Sequence, residues 1–255
     1  MMNYFVEGDS KRLFLNTRIG CRARCKYCYI QKLNFHGWYN KTAQPNDIAN
    51  YIETHTDFKK GKDGTIFSIG CYSECWDSIN KGKTKILLEI LLKWGNPIQV
   101  ATKMEIKLSE IKPLTNKIKW KNQLSVYISC PVLTNSNKYE INVKSPQERL
   151  KTISVCSNLD IPAILYIKPV LKNITIKDIE KYIQIVKKHK VSVVVGESFS
   201  LENNNHPAPI GKGFLFCNKV SEEQQTIVKA LSKYTNVYHN SSEIVESYRN
   251  LKNLT

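Results

Sequence analysis

No window of this 255-residue chain approaches about 18 consecutive uncharged apolar residues, the length a membrane helix needs. The most apolar run, Ile86 to Trp94, carries Glu89 and Lys93, so no membrane span is expected. Met1 to Asp9 lacks a basic segment leading into an apolar one, so no secretory signal is expected either. The expected location is the reducing cytoplasm. There is no linker rich in Pro, Gly or Ser, no low-complexity block and no internal repeat, so residues 1–255 are expected to form one domain. The five His are scattered without paired metal spacing, and none is nominated as a ligand.

Acidic residues are scarce. Only 22 Asp+Glu face 38 Lys+Arg, a formal charge of +16. Such an excess bears on partners, with phosphate-rich polymers the first candidate, and says nothing of the fold. A genome that over-uses Lys and Asn would produce the same excess. Apolar residues make up 42% and charged residues 24%, which argues against disorder.

Short β-branched runs alternate with longer amphipathic ones, the pattern of β-α units around a parallel sheet. The strand candidates are 12–16, 65–70, 98–102, 124–129, 162–167 and 191–196. Helical stretches follow from Pro45, over 84–94, weakly over 105–111, from Ser145, over 176–189 and near 222–231. Ser145-Pro146-Gln147-Glu148 reads as a capping Ser, a first-turn Pro and a reciprocal Glu, with Leu150, Ile153 and Leu159 as the buried face behind it. The count predicts an α/β fold, an open, partial (β/α)6 TIM-like barrel over 1–200. A short mixed tail over 201–255 packs on the barrel or covers it. In such barrels the working residues sit where strands end, which nominates 21–29, 70–77, Lys103, Ser129, Cys130, Lys168 and 196–200.

Eight cysteines in a cytosolic chain point to metal ligation or catalysis rather than disulfides. Cys21, Cys25 and Cys28 are spaced C-x3-C-x2-C. A structural zinc site wants four ligands, and no fourth Cys or His lies at a suitable short spacing. Three thiolates can instead hold a cubane iron–sulfur cluster whose fourth iron takes an outside ligand.

This motif, with an aromatic before its last Cys, resembles the signature of the radical S-adenosylmethionine superfamily. The resemblance implies a [4Fe–4S] cluster on Cys21, Cys25 and Cys28 whose unique iron chelates S-adenosyl-L-methionine, and a 5′-deoxyadenosyl radical that abstracts a hydrogen atom. Cys25-Lys26-Tyr27-Cys28-Tyr29-Ile30-Gln31, Gly70-Cys71-Tyr72-Ser73-Glu74, Thr102-Lys103, Ser129, and Ser145–Leu150 followed by Ile161-Pro162 and Lys168-Pro169 resemble segments of the spore photoproduct lyase group. That likeness implies cofactor contacts at Tyr27, Ser73, Lys103 and Ser129, and hydrogen-atom return by Cys71 with Tyr29 as relay. The expected substrate is a nucleic acid and the expected electron donor a flavodoxin or ferredoxin. Two other readings stay open: a peptide, protein or small metabolite as substrate, and a non-catalytic iron–sulfur accessory protein that binds nucleic acid.

The chain departs from the group in having only 20 residues before Cys21, in Glu74 standing where the group has Asp, and in the extra Cys75. Cys130 is an alternative hydrogen donor, and Cys71, Cys75 and Cys130 are a candidate second metal set. Cys156 and Cys217 read as packing residues. A lysine-dense segment from Lys103 to Lys121 around Trp120 is either a nucleic-acid track or a solvated connection. Arg22, Arg24, Lys26, Lys32, His36 and Trp38 form a second basic-aromatic set, and 206–214 reads as a turn-rich loop that covers the barrel mouth.

Overall fold

The computed structural model describes residues 4–32, 37, 39–196, 198–199, 209–210, 214–215 and 220–250. Lys32 beyond its backbone, His36, Trp38, Cys217 and most of 206–214 lie outside the described residues. The first two strands, β1 (Val6–Gly8) and β2 (Arg12–Leu15), pair antiparallel. Thereafter the chain alternates: α1 (Pro45–Glu53), β3 (Ile66–Ile69), α2 (Lys81–Leu92), β4 (Ile98–Thr102), α3 (Leu108–Ile111), β5 (Leu124–Ser129), α4 (Pro146–Ser157) and β6 (Ala163–Ile167). A two-residue strand β7 (Val170–Leu171), α5 (Ile179–His189) and β8 (Ser192–Val195) follow. β9 (Ser198–Phe199) pairs with β7, and β10 (Pro209–Ile210) with β11 (Phe214–Leu215). The tail adds α6 (Glu222–Leu231), β12 (Val237–Tyr238) and α7 (Ser241–Asn250).

The main sheet runs β1-β2-β3-β4-β5-β6-β8-β12, every pair after the first parallel. The six strands expected from the sequence are the six between β1 and β12, and the sheet stays open. β1, β12 and α7 are additions to the expected elements: the two strands are short, and α7 buries Ser241, Ile244 and Val245 at helical spacing in a stretch read only as tail. Strands buried on both faces lack the polar alternation of a half-exposed sheet, and β5 buries all six of its residues.

Alternation along each strand sorts the two faces. Leu13, Phe67, Val100, Ile128 and Leu165 belong to the core between sheet and helices. Their neighbours Arg12, Ser68, Gln99, Tyr127 and Tyr166 line the barrel interior and bring polar groups into it. α4 starts as its sequence requires: Ser145 Oγ accepts from the Glu148 N–H at 3.3 Å, and the Glu148 carboxylate accepts from the Ser145 N–H at 2.9 Å. Its buried face differs from expectation. Arg149, Thr152, Ile153 and Cys156 face inward, whereas Leu150 and Leu159 are only partly buried. The helix is turned because Arg149 reaches partners beneath it.

Two other expectations are corrected. Helix α2 begins at Lys81 rather than Thr84, because the Asp77 carbonyl accepts from the Lys81 N–H at 3.0 Å. Over 105–111 only Leu108–Ile111 is α-helical; Pro113 turns the continuation into a 3-10 stretch.

Candidate active site

Gly20 leads into the cysteine loop with φ +93°, and a Cβ there would lie 2.8 Å from the Tyr39 ring. The loop then alternates. Ala23, Cys25 and Tyr27 turn inward and pack with Val132 and Leu171, while Arg22, Arg24 and Lys26 face solvent. Three backbone ties fix it: Lys26 N–H to Tyr139 O at 2.8 Å, Gly20 N–H to Tyr72 O at 2.9 Å, and Asn142 N–H to Ala23 O at 3.2 Å.

Cys21, Cys25 and Cys28 all line one cavity of about 280 Å³ at the carboxyl ends of the strands. Burial pushes the thiol of Cys21 up to about 12 and that of Cys25 up to about 11, and raises Cys28 as well. Among the described residues no three His, Cys, Asp or Glu side chains converge tightly enough for a single metal ion. Three soft donors spread around one rim suit a larger, multi-atom group.

The opposite wall comes from the next three strand ends. β3 ends in Gly70, whose φ of +99° and whose approach to Ala101 O (2.8 Å from a built Cβ) admit no side chain. That turn delivers Cys71, Ser73 and Glu74. Ser73 is 4% exposed, and its Oγ is buried without a hydrogen-bond partner. An orphaned hydroxyl in a cavity wall is what a bound group would satisfy. Glu74 is held by Thr102 Oγ1, by the Lys103 N–H at 2.8 Å and by the Trp76 N–H at 3.2 Å; burial still raises its pKa. Lys103 Nζ donates to Ser129 Oγ at 2.5 Å and lies 5.6 Å from the centre of the Tyr27 ring.

Behind this wall lies a charge cluster that sequence reading missed. Glu140 accepts from Tyr27 OH and from Arg149 Nη2 at 2.6 Å, and sits 3.8 Å from Lys103 Nζ. Arg149 also donates to Lys144 O at 2.7 Å and Ser129 O at 2.8 Å. Burial opposes the charge on Lys103, but Glu140 and Cys25 hold its pKa above the ordinary lysine value. The network thus joins Tyr27 of the cysteine loop to Lys103 and Ser129. The signal available was Arg149 itself, a charged residue three and seven positions from Pro146 and Cys156 on an apolar helix face.

Tyr29 OH donates to the Cys71 carbonyl at 2.8 Å. Burial pushes the Cys71 thiol up to about 12, against the pull of Arg12 and Lys168. All nine residues singled out from the sequence, Cys21, Cys25, Tyr27, Cys28, Tyr29, Cys71, Ser73, Lys103 and Ser129, line this single cavity.

Other candidates are not brought there. Cys130 is fully buried outside the cavity, because the residue after inward-facing Ser129 must point away. Cys75 is buried with its Sγ 3.4 Å from Ala101 O, so Cys71 is the cavity's thiol on this wall and the second metal set is not formed. Cys156 packs in the core as expected. Of the lysine-dense segment only Lys103 reaches the cavity. The rest descends the outside of the barrel, and Trp120 Nε1 donates to Gly95 O at 2.7 Å near the opposite end of the sheet.

No family model matches the chain, and no curated protein matches it in sequence. Solved structures do match in fold. A spore photoproduct lyase variant aligns with TM-score 0.66 and 13% identity over 88% of this chain and 76% of its own. A second, with bound AdoMet and dinucleoside spore photoproduct, gives 0.65 and 14% over 89% and 76%. Streptococcus suis SuiB bound to S-adenosylmethionine gives 0.59 and 12% over 95% of this chain. The chain spans about half of SuiB, 53%. The open partial barrel is therefore a fold shared with both.

Proposed function

We propose that the chain is a radical S-adenosylmethionine enzyme acting on a nucleic-acid substrate, with a [4Fe–4S] cluster on Cys21, Cys25 and Cys28. The observation that carries this is the one cavity where three thiols face an orphaned Ser73 hydroxyl, the Lys103–Ser129 pair and Cys71. Likeness in fold to two proteins solved with S-adenosylmethionine supports it. Bound there, cluster and cofactor supply a 5′-deoxyadenosyl radical that takes a hydrogen atom from a substrate carbon.

The chain's own residues do the rest. Lys103 keeps its charge in a nearly dry wall and meets the cofactor carboxylate, with Ser129 fixing the ammonium group of that lysine. Ser73 offers its free hydroxyl, and Tyr27 presents its ring beside Lys103. Cys71 stays an S–H group across neutral pH, and an S–H bond is weak enough to give its hydrogen atom to a carbon radical. Tyr29, whose hydroxyl touches the Cys71 backbone, then passes a hydrogen atom to the sulfur and is left as the radical.

Exposed Arg22, Arg24 and Lys26 on the outer side of the loop suit an acidic electron carrier such as flavodoxin or ferredoxin, in a reducing cytoplasm. The dinucleoside bound to a lyase of the same fold and the charge of +16 support the nucleic-acid reading. Labelled S-adenosylmethionine incubated with and without single-stranded and duplex DNA and RNA tests it. Nucleic acid should change the rate or the fate of the label, and label chemistry indifferent to every nucleic acid would remove this substrate class.

A further inference from the structure

The floor of the cavity, opposite the cysteine loop, is a second polar layer that the cluster and cofactor contacts do not use. Arg12, the first residue of β2, extends into the lumen. Its Nε donates to Ser68 Oγ at 2.7 Å and its Nη2 to Ser241 Oγ at 2.9 Å, and the guanidinium lies 4.7 Å from the Phe14 ring centre. It forms no ion pair with any described residue. Ser68 passes its own hydrogen to Gln99 Oε1 at 3.0 Å, and Gln99 Nε2 donates to Tyr127 OH at 2.8 Å and Ser241 O at 2.6 Å. Two hydrogen bonds and the Phe14 ring set the guanidinium plane, and Ser241, the first residue of α7, is brought across 229 positions of sequence to do so.

A guanidinium has five N–H donors, and the two hydroxyls use two of them. Three donors remain on a partly buried cation that forms no ion pair with a described residue; Glu7, the carboxylate that also acts on the Cys71 thiol, accepts from Tyr72 OH. Among the described residues that line the cavity Glu74 is the single carboxylate, and it stands at the opposite end from Arg12, bound to Thr102, Trp76 and the Lys103 backbone. A forked cation in this setting matches a tetrahedral oxyanion. Arg12 and Lys168 are also the two cations that act on the Cys71 thiol, so the floor communicates with the hydrogen-donating end. Ser68, where Arg12 is anchored, and Cys71 line the same cavity three residues apart, on either side of the Gly70 turn.

We propose that Arg12, held by Ser68 and Ser241, binds a phosphate ester of the substrate and so places the adjoining nucleoside against Cys71. This rests on the nucleic-acid reading above and specifies it as one phosphate gripped inside the barrel. The phosphate belongs either to a free nucleotide or to a strand.

The test is binding of thymidine, thymidine 5′-monophosphate, the dinucleotide TpT and a short single-stranded oligonucleotide to the reconstituted protein with S-adenosylmethionine present. The unaltered chain should bind the phosphate-bearing probes at least about tenfold more tightly than thymidine, since charge-assisted bonds to a held guanidinium are strong. Arg12→Gln should abolish that preference while S-adenosylmethionine affinity stays unchanged. Preference for the mononucleotide assigns the site to free nucleotides; preference for TpT or the oligonucleotide assigns it to a strand.

Equal affinity for thymidine and all phosphate probes in the unaltered chain would overturn the proposal without recourse to any variant. So would an Arg12→Gln protein that keeps the preference. Ser241→Ala tests the hold on the guanidinium: the phosphate preference should weaken without vanishing, and a preference fully retained would remove Ser241 from the site. Failure of the enzyme reading is seen separately, as absence of S-adenosylmethionine binding or cleavage whatever the phosphate preference.

Discussion

Replacing Glu140 by Gln removes the carboxylate that faces two cations, Arg149 and Lys103, behind the cavity wall. Its side chain is 0% exposed, that of Arg149 1% and that of Lys103 16%. The Arg149 pair is at 2.6 Å and the Lys103 pair at 3.8 Å, and Tyr27 OH adds a third bond. Glutamine keeps the shape and loses the charge, leaving a buried guanidinium and a nearly buried ammonium to repel each other. Breaking a buried pair by removing one partner costs about 3–5 kcal/mol. Against a total of roughly 5–15 kcal/mol for a domain, Glu140→Gln should lower the melting temperature by about 10 °C, at roughly 2–4 °C per kcal/mol for a chain of this size. The two carbonyl acceptors of Arg149 stay in place, so the loss should not exceed that range.

Thermal and urea unfolding of the apo chain measures it, with the double variant Glu140→Leu/Arg149→Met as partner. The double variant should lose less than the sum of Glu140→Leu and Arg149→Met measured singly, because the charge that either single change strands at its partner is absent from it. A cost under about 1 kcal/mol for Glu140→Gln, or a double variant that simply sums the singles, would refute the network.

Three further outcomes are expected. In the native chain, Cys71 should resist iodoacetamide between pH 7 and 9, since a thiol at about 12 is ionised in roughly one molecule in ten thousand at pH 8; mass-spectrometric labelling that rises with a midpoint near an ordinary thiol's would contradict it. The raised value means that the S–H form is lost only on passing well above pH 9, so Cys71→Ala, and not alkaline pH, should disrupt hydrogen return while 5′-deoxyadenosine still forms. Lys103→Met should weaken S-adenosylmethionine binding at least about tenfold, with the iron–sulfur absorbance intact; calorimetric titration showing unchanged affinity would remove Lys103 from the cofactor site.

The elements legible in the sequence are those set by local spacing. β4 over Ile98–Thr102, β5 over Leu124–Ser129 and α6 over Glu222–Leu231 follow from composition and turn residues alone. The cysteine loop and the strand-end residues were found because each is named by its neighbours in sequence. Pairings across distance were not: Arg12 meets Ser241, Tyr27 meets Glu140, and neither segment hints at its partner. Cys130 shows that the position of a residue at a strand end is insufficient, since parity decides which side it faces. The lysine-dense segment was ambiguous for a similar reason. Composition there is compatible with a nucleic-acid track, but the path back from the carboxyl end of β4 to the start of β5 places Lys107 to Lys121 outside the cavity. Charge alone told less than its address.

The most direct test of the central claim is formation of 5′-deoxyadenosine. The chain is reconstituted anaerobically with iron and sulfide, given S-adenosylmethionine and a strong one-electron reductant, and assayed by chromatography with mass detection. The account predicts 5′-deoxyadenosine and methionine in equal amounts from the unaltered protein and none from Cys25→Ala. A fully loaded, reduced cluster that yields no 5′-deoxyadenosine would contradict it and leave the non-catalytic iron–sulfur reading in its place.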